Sequence, residues 1–308
     1  MMKKNPETPQ LTVLVPVFNE AGALPLFLPD LLQACEEKGW LLIVIDDGSY
    51  DATSQVLSNY ENLPYFRVIR HKVNRGYGRA LKNGILATVT SHVVTIDGDG
   101  QHSIEDIDRL FRFALEKDTD LLIGCRERWK NSSFLREFGR WTIWNFARFL
   151  MPLQIKDLNS GFKLYRAELV RKYLRLCPDN FAFSDIITLA FVQQRNLVLE
   201  CPITIQKRKA GKSTVGIHTA IEIIGEIINI ALIFNPLKLF LPLSALCLVA
   251  GIAWGTPLIL KGRGVSVGAM LAILLGAIAL MLGLVMHQLS AIRMNILEDT
   301  HPQENGKV

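Results

Sequence analysis

Two long apolar stretches near the C-terminus restrict the folds that this chain can adopt. Residues 237–260 contain one charged side chain, Lys238, and residues 265–286 contain none. As α-helices these stretches would be about 36 and 33 Å long, and the hydrocarbon core of a bilayer is about 30 Å thick. Two buried core helices are the alternative, but core helices of soluble proteins rarely lack charge for so long. The short linker 261–264 therefore predicts a two-helix transmembrane hairpin with both ends on one side.

The residues before the hairpin predict an α/β fold. Short apolar runs alternate with amphipathic segments from residue 11 to about residue 125. This alternation is typical of a doubly wound, mostly parallel sheet, and such sheets bind ligands beyond the carboxyl ends of their strands. The predicted strands are 11–17, 41–46, 66–70, 92–97 and 120–124, and the predicted helices are 22–38, 51–60, 77–90 and 103–117.

Acidic side chains stand at the ends of three predicted strands. Glu20 follows the first strand, Asp46 and Asp47 end the second, and Asp97 and Asp99 end the fourth. Because parallel strands end at the same sheet edge, we expect these carboxylates to lie near one another. Two carboxylates that are two residues apart can hold a hard divalent cation, although a solvated turn also explains an Asp-Gly-Asp sequence taken alone.

The net charge of +5 conceals an uneven distribution of charged residues. Residues 126–175 carry a net +8 and residues 207–212 a net +4, which leaves −7 for the rest of the chain. Two basic segments in an otherwise acidic protein indicate an anionic partner, which could be a nucleic acid, a membrane surface or an anionic substrate.

Three features predict a cytoplasmic location for the residues before the hairpin. No apolar signal-like stretch follows the lysines at the N-terminus. More positive charge lies on the side of the predicted transferase domain, at 207–212, Lys238 and Arg293, than in the linker 261–264, which has two basic residues. The five cysteines form no C-x-x-C pair, and this pattern favours reduced thiols.

Two further segments predict contact with the membrane surface. Residues 134–150 combine Arg136, Arg140 and Arg148 with tryptophan and phenylalanine, a pattern typical of a helix that lies among lipid headgroups. An ordinary surface helix is the alternative. Residues 215–235 are apolar apart from two glutamates and predict a second membrane-surface helix that leads into the hairpin.

Six short motifs follow one another along the chain: P-V-F-N-E (16–20), I-D-D-G-S (45–49), N-R-G-Y-G (74–78), D-G-D-G-Q-H (97–102), D-L-N-S-G-F-K (157–163) and R-K-A-G-K-S (208–213). This order resembles the family-2 glycosyltransferases. Within them it is most similar to polyprenyl-phosphate glycosyltransferases such as dolichol-phosphate mannose synthase and bacterial undecaprenyl-phosphate sugar transferases. The resemblance spans roughly residues 11–215 and implies a GT-A type fold.

The resemblance implies roles for individual residues in binding a nucleotide-sugar donor. The residues that would meet the nucleotide are Pro16, Phe18, Glu20, Ile45 and Asp47. The diphosphate and an Mg²⁺ or Mn²⁺ ion would be bound at Asp97, Gly98, Asp99 and Gln101, with Asp97, Asp99 and Gln101 as the metal ligands. A loop that closes over the donor would contribute Arg208 and Ser213. Thr214 stands where the family usually has lysine, so Lys212 or Lys209 beside it would meet the phosphates.

The resemblance also implies which residues act on the acceptor and at the reaction centre. Asp157 would stand at the reaction centre as a positioning group or weak base, and Arg126 would face the phosphates. The basic and aromatic pattern of 134–150, and not the resemblance, predicts that Arg136 and Arg140 lie near the phosphate of the acceptor lipid. One decoy motif is Gly76-x-Gly78, which resembles the start of a dinucleotide fingerprint but has Leu81 where the third glycine belongs.

The predicted activity is the inverting, metal-dependent transfer of a hexose from a UDP- or GDP-linked sugar to polyprenyl phosphate. The predicted domains are a cytoplasmic transferase domain (1–212), a juxtamembrane segment (213–236), the hairpin (237–292) and a cytoplasmic tail (293–308) in a multi-pass protein of the cell membrane. The alternatives are transfer to a hydroxyl acceptor, a processive polysaccharide synthase, and a non-catalytic nucleotide-sugar binder. No nucleic acid partner is expected, and the resemblance makes a homo-oligomer possible.

Overall fold

The structure is a computed structural model that describes residues 10–126, 141, 144–145, 148–149, 155–204 and 219–299. The chain divides into two compact units. The N-terminal unit comprises Met1–Arg140 and Leu153–Ile217, and the C-terminal unit comprises Trp141–Pro152 and His218–Val308.

A mixed sheet of seven strands forms the centre of the N-terminal unit. Its order is β3-β2-β1-β4-β6-β5-β7. Strand β6 is antiparallel to both of its neighbours, and the other pairs are parallel, so the prediction of a mostly parallel sheet is confirmed. The strands are β1 (Leu11–Val17), β2 (Leu41–Asp46), β3 (Phe66–Arg70), β4 (His92–Thr95), β5 (Leu121–Arg126), β6 (Lys163–Arg166) and β7 (Val198–Ile203).

Helices cover both faces of this sheet, which explains why β1 is apolar at nearly every position. Val13 and Val15 of β1 belong to a core that also contains apolar residues of α1 and α4. On the opposite face Leu14 packs under Gly84 of α3. The helices of this unit are α1 (Leu24–Lys38), α2 (Thr53–Ser58), α3 (Tyr77–Ala87), α4 (Ile104–Lys117), α5 (Ala167–Tyr173) and α6 (Phe183–Gln193).

The reversed direction of β6 brings one more loop to the functional edge of the sheet. Thr95, at the end of β4, pairs with Lys163, at the start of β6. The segment 155–162 precedes Lys163, so it lies at the edge where the parallel strands β1, β2 and β4 end. Asp157 therefore shares an edge with the acidic strand ends.

The C-terminal unit contains α7 (Thr219–Phe234), α8 (Leu237–Leu260) and α9 (Val267–Asp299). Helices α8 and α9 are long and apolar enough to cross a membrane, with mean hydropathies of 2.0 and 2.7 in their most apolar windows. They pack closely where glycines face larger residues, as at Gly276 beside Leu248. Ser244 Oγ also donates a hydrogen bond to the Gly276 carbonyl at 2.8 Å.

Helix α9 continues well past residue 286, where the predicted apolar stretch ends. Residues 287–299 include polar side chains such as His287 and Arg293, yet they remain helical. Apolar composition marks the length that can lie in hydrocarbon, whereas a helix continues for as long as its backbone hydrogen bonds do. The first residues of the predicted tail, 293–299, therefore form the last part of α9.

The predicted surface helix 134–150 is described at five residues, all of them helical. Trp141 and Phe149 are exposed, and the Arg148 guanidinium lies 4.6 Å from the ring centroid of Trp144. Lys238 Nζ donates a hydrogen bond to the Phe149 carbonyl at 2.8 Å, which joins this segment to the start of α8. Arg136 and Arg140 lie outside the described residues.

Candidate active site

The loops after β1 and β2 are hydrogen-bonded into one surface. The Asn19 amide donates to Ser49 Oγ at 2.9 Å, and the Tyr50 amide donates to Asn19 Oδ1 at 3.0 Å. The Glu20 amide donates to Thr53 Oγ1 at 2.9 Å. This arrangement holds Phe18 edge-on to Tyr50, with ring centroids 5.8 Å apart.

Phe18 and Tyr50 are the exposed aromatic side chains of this surface, with 38% and 84% of their area accessible. Phe18 is a predicted nucleotide contact, and its exposure leaves the ring free to meet a base. Tyr50 was missed because a single tyrosine in a loop has no sequence signal until its contact with Phe18 is known.

Two other predicted nucleotide contacts lie within the sheet. Pro16 and Ile45 pair across β1 and β2. The Ile45 side chain is fully buried, and its Cδ1 atom lies under Gly84 of α3. Only the backbone of Ile45 can therefore meet a bound molecule, because the side chain belongs to the core.

The carboxylate of Asp47 is buried and accepts three hydrogen bonds. It accepts from the backbone amides of Arg75 and Gly76 at 2.9 and 2.8 Å. His71 Nδ1 lies 2.6 Å from the same carboxylate, and His71 Nε2 lies 2.8 Å from Asn83 Nδ2. Asp47 thereby holds the N-R-G-Y-G loop against the end of β2, a role that neither its sequence position nor that of His71 revealed.

Asp97, the first acid of D-G-D, is oriented by two aromatic side chains. The Tyr77 hydroxyl donates to Asp97 Oδ1 at 3.2 Å, and His102 Nε2 lies 3.5 Å from Asp97 Oδ2. Burial, followed by the Asp97 charge, holds the pKa of the Tyr77 hydroxyl well above its usual range. Tyr77 therefore remains a proton donor to Asp97 throughout the physiological pH range.

Gly161 is packed so tightly against Asp97 that a Cβ atom there would lie 2.6 Å from Oδ1. Gly98 is similarly confined, because its Cβ atom would lie 2.7 Å from Val17 Cγ1 and 2.9 Å from the Pro16 carbonyl oxygen. The glycines of D-G-D and N-S-G thus allow the ends of β1 and β4 and the loop before β6 to meet.

Asp97, Asp99 and Gln101 offer oxygen ligands, which suit a hard cation such as Mg²⁺ or Mn²⁺. The Gln101 amide donates to Asp99 Oδ1 at 3.1 Å, which folds the loop around the Asp99 carboxylate. Within the described ranges no group of three or more His, Cys, Asp and Glu residues has the geometry of a metal site. Asp97 and Asp99 supply the carboxylates by which a protein can hold Mg²⁺ together with substrate phosphates.

Asp157 sits in a loop whose backbone is held by a neighbouring strand. Glu200 Oε1, on β7, accepts hydrogen bonds from the amides of Lys156 and Asp157 at 2.7 and 2.9 Å. Ser160 Oγ donates to the Gly124 carbonyl of β5 at 2.7 Å. Glu200 carries no recognisable motif, so the sequence did not reveal it as a positioning residue.

The same loop is also tied to α6. Lys163 is fully buried, and its Nζ donates to the Leu158 carbonyl at 2.7 Å and to the Ser184 carbonyl. Asn159 Nδ2 donates to Asp185 Oδ2 at 3.0 Å. A buried ammonium is tolerated only when its donors are satisfied, and here satisfying them fixes the position of the loop.

Replacing Glu200 with alanine should lower kcat about tenfold, because two amides beside Asp157 lose their acceptor and the reacting geometry loosens. Glu200→Gln keeps an oxygen in place and should restore most of the rate. We expect the KM for the donor to stay within about twofold in both variants. Steady-state kinetics would measure kcat and the donor KM separately for each variant. Glu168→Ala is the control, because Glu168 is exposed. An unchanged kcat in Glu200→Ala would contradict a positioning role.

The structure brings Pro16, Phe18, Glu20, Asp47, Asp97, Gly98, Asp99, Gln101 and Asp157 to one edge of the sheet. Arg126 is the last residue of β5, at the same edge, with its backbone paired to Ile203. The remaining predicted site residues, Arg208, Lys212 and Ser213, lie outside the described residues.

Comparison with known families matches the segment that forms this edge. A family model described as glycosyl transferase family 2 matches residues 12–174. The chain belongs to glycosyl transferase family 2. A second model, described as the GtrB C-terminal hairpin, matches residues 235–292, which include α8 and most of α9. This family-2 glycosyltransferase therefore carries a known type of helical hairpin after its enzymatic domain.

Several curated relatives of this family-2 enzyme align with most of the chain. Dolichyl-phosphate beta-glucosyltransferase of Dictyostelium discoideum is 33% identical over 63% of this chain and 65% of its own length. Polyprenol monophosphomannose synthase of Mycolicibacterium smegmatis is 30% identical over 67% of this chain and 81% of its own length. Undecaprenyl-phosphate 4-deoxy-4-formamido-L-arabinose transferase of Pectobacterium atrosepticum is 26% identical over 78% of this chain and 73% of its own length.

Solved structures confirm the predicted GT-A type fold. Glucosyl-3-phosphoglycerate synthase from Mycobacterium tuberculosis, in complex with Mn²⁺, UDP and glucosyl-3-phosphoglycerate, has a TM-score of 0.56 and 17% identity. The match covers 72% of this chain and 80% of that one. A complex of the same synthase with Mg²⁺ and UDP has a TM-score of 0.53. Divalent metals and UDP thus occur together in structures with this fold.

Proposed function

We propose that this family-2 glycosyltransferase transfers a hexose from a UDP- or GDP-linked sugar to polyprenyl phosphate. The observation that carries the proposal is the order of two matched segments in one chain. A family-2 domain at residues 12–174 is followed by a GtrB-type hairpin at residues 235–292. An enzymatic domain joined to a membrane-spanning hairpin suits a soluble donor and an acceptor that stays in the bilayer.

The names of the relatives support a lipid phosphate acceptor over the alternatives. Three relatives from different organisms are named for dolichyl phosphate, polyprenol monophosphate and undecaprenyl phosphate. Transfer to a hydroxyl group and processive polymer synthesis gain no comparable support from these relatives. A non-catalytic binder would not need Asp97, Asp99 and Asp157 together, and the chain retains all three at one sheet edge.

The donor side of the site must stabilise the negative charge of a diphosphate leaving group. Asp97, Asp99 and Gln101 would hold Mg²⁺ or Mn²⁺, which when bound acts as a Lewis acid toward the diphosphate. Tyr77 and His102 keep the Asp97 carboxylate in a fixed orientation. The negative charge on the leaving diphosphate would be neutralised further by Arg126, Arg208 and Lys212.

The acceptor side needs positioning more than it needs a strong base. The phosphate oxygen of the acceptor is already anionic, so it can attack the anomeric carbon without first losing a proton. We assign Asp157 to orienting this attack, with Glu200 holding its backbone. A direct displacement inverts the configuration at the anomeric carbon, so an α-linked donor would give a β-linked lipid product.

The proposed membrane arrangement places the N-terminal unit on the cytoplasmic side. Helices α8 and α9 would form the transmembrane hairpin, with α7 and residues 134–150 in the headgroup layer. Arg136 and Arg140 would then meet the acceptor phosphate at that level. A basic segment gains about 1 kcal/mol per Lys or Arg near an anionic leaflet, which would also concentrate the enzyme beside its acceptor.

A donor panel would test the proposed function. The purified full-length protein, reconstituted with polyprenyl phosphate, would be offered UDP-glucose, UDP-N-acetylglucosamine and GDP-mannose, with Mg²⁺, Mn²⁺ or EDTA. We expect one donor to give a lipid-phosphate sugar, and EDTA to lower its formation at least about a hundredfold. Transfer only to hydroxyl acceptors, or formation of a polymer, would overturn the proposal.

A further inference from the structure

One large aromatic side chain near the site is exposed and yet held in place. Phe181, two residues before the start of α6, has 71% of its area accessible to solvent. Its ring stacks on Tyr77, with centroids 5.2 Å apart and planes at 20°. A single exposed apolar residue is ordinary on a protein surface. A function for Phe181 therefore has to be argued from how rigidly its ring is held and from where the ring lies.

The loop that carries Phe181 is fixed to α3 by charge pairs. Asp179 Oδ1 accepts from Lys82 Nζ at 2.7 Å, and Asp179 Oδ2 lies 2.7 Å from a terminal nitrogen of Arg79. The Arg79 amide also donates to the Asp179 carbonyl at 3.2 Å. These contacts attach the loop to the first two turns of α3.

Close backbone packing adds to this attachment. A Cβ atom at Gly76 would lie 2.4 Å from the Asp179 carbonyl oxygen, and one at Gly78 would lie 2.4 Å from the Pro178 carbonyl oxygen. The two glycines of N-R-G-Y-G thus admit the backbone of the 178–180 loop. The Phe181 ring is consequently presented by a rigid support.

The stack lies between the two halves of the proposed site. On one side, the Tyr77 hydroxyl donates to Asp97, where the donor diphosphate would be held. On the other side, Phe181 leads into the first turn of α6, where Asp185 holds Asn159 of the Asp157 loop. In a transfer reaction the sugar has to lie between the leaving diphosphate and the attacking acceptor.

We propose that the Tyr77–Phe181 stack is the platform on which the pyranose ring of the donor rests. This inference rests on the proposed function and names a specificity contact of the same site. One face of a hexopyranose is mainly C–H groups, and binding sites pair such apolar faces with aromatic side chains. The exposed face of Phe181 supplies that surface, while the Tyr77 hydroxyl ties the platform to the diphosphate site.

Binding measurements without acceptor would test this contact. Calorimetry on the full-length protein would compare a nucleotide sugar, the tightest binder among UDP-glucose, UDP-N-acetylglucosamine and GDP-mannose, with the matching nucleoside diphosphate. Phe181→Ala should weaken binding of the nucleotide sugar about tenfold, which corresponds to about 1.4 kcal/mol. Binding of the nucleoside diphosphate should stay unchanged. Phe181→Tyr should bind both as the native protein does.

Leu86→Ala is the matched control, because Leu86 is 64% exposed at the far end of α3, the helix that begins with Tyr77. An equal loss for nucleotide sugar and nucleoside diphosphate in Phe181→Ala would overturn the inference. Unchanged donor binding with a raised KM for polyprenyl phosphate would also overturn it, because the ring would then serve the lipid. A lack of transfer to polyprenyl phosphate would count against the proposed function alone, since the binding comparison needs no acceptor.

Discussion

Replacing Asp99 with alanine should lower sugar transfer about a thousandfold while the protein stays folded and bound to the membrane. Asp99 follows the end of β4, and its carboxylate accepts the Gln101 amide. Tyr77 and His102 both contact Asp97, the other acid of D-G-D. Losing Asp99 should therefore remove a proposed metal ligand, while the contacts of Tyr77 and His102 with Asp97 remain.

Transfer assays across a range of Mn²⁺ concentrations would measure this effect. The native enzyme should saturate with metal, whereas Asp99→Ala should stay nearly inactive at every concentration. Glu37→Ala is a suitable control, because Glu37 lies exposed on α1 and accepts a hydrogen bond from its helix neighbour Gln33 at 2.8 Å. Activity of Asp99→Ala within tenfold of the native enzyme would refute the assignment of Asp99 to the metal.

Replacing Gly76 with alanine should destabilise the N-terminal unit by about 2–5 kcal/mol, from two separate causes. Gly76 has φ of +97°, and side chains disfavour left-handed backbone by about 1–2 kcal/mol. The new Cβ atom would also lie 2.4 Å from the Asp179 carbonyl oxygen, and overpacking costs about 1–3 kcal/mol. The amide that donates to Asp47 would be displaced as well, so donor binding should weaken.

Gly39→Ala separates the two causes. Gly39 ends α1 with φ of +67°, but a Cβ atom there would have no neighbour within 4 Å. This variant should therefore lose only about 1 kcal/mol, from backbone conformation alone. Thermal unfolding of the detergent-solubilised protein would compare the two variants. Equal shifts of Tm would show that the packing of the 178–180 loop on Gly76 contributes nothing to stability.

The first half of the sheet could be predicted because its signals are local. Strands β1, β2 and β3 match their predicted ranges, and each is a short apolar run between amphipathic helices. The principle that parallel strands end at one edge places Glu20, Asp47 and Asp97 at the same edge of the sheet. The hairpin was predictable for the same reason, since about twenty successive apolar residues are a local property.

The second half of the sheet depends on pairing between residues that are far apart in sequence. A local sequence pattern does not indicate such pairing. Strand β6 has the sequence K-L-Y-R, with a lysine that is fully buried. Hydrophobicity alone would place such a lysine at the surface, but two carbonyl acceptors allow its burial. The supporting residues His71, Tyr77 and Glu200 were missed likewise, because each acts through a partner far away in sequence.

The two glycines of Gly76-x-Gly78 have a structural role that is unrelated to dinucleotide binding. The missing third glycine excluded a dinucleotide fingerprint. The structure supplies the physical reason for the two glycines that are present, which is the close approach of the 178–180 backbone. Neither residue spacing nor composition reveals that approach, because the two segments are about a hundred residues apart.

The order of the strands has a consequence for how the protein is made. Strand β1 pairs with β2 and also with β4, from Leu11 to His92, and β5 pairs with β7, from Leu121 to Val198. Closing such long loops is slow and entropically costly, and a nascent chain emerges with its N-terminus first. The Asp157 loop can gain its Glu200 contact only after β7 has left the ribosome. The hairpin is synthesised next, so completion of the site and insertion of the anchor should be consecutive steps in biogenesis.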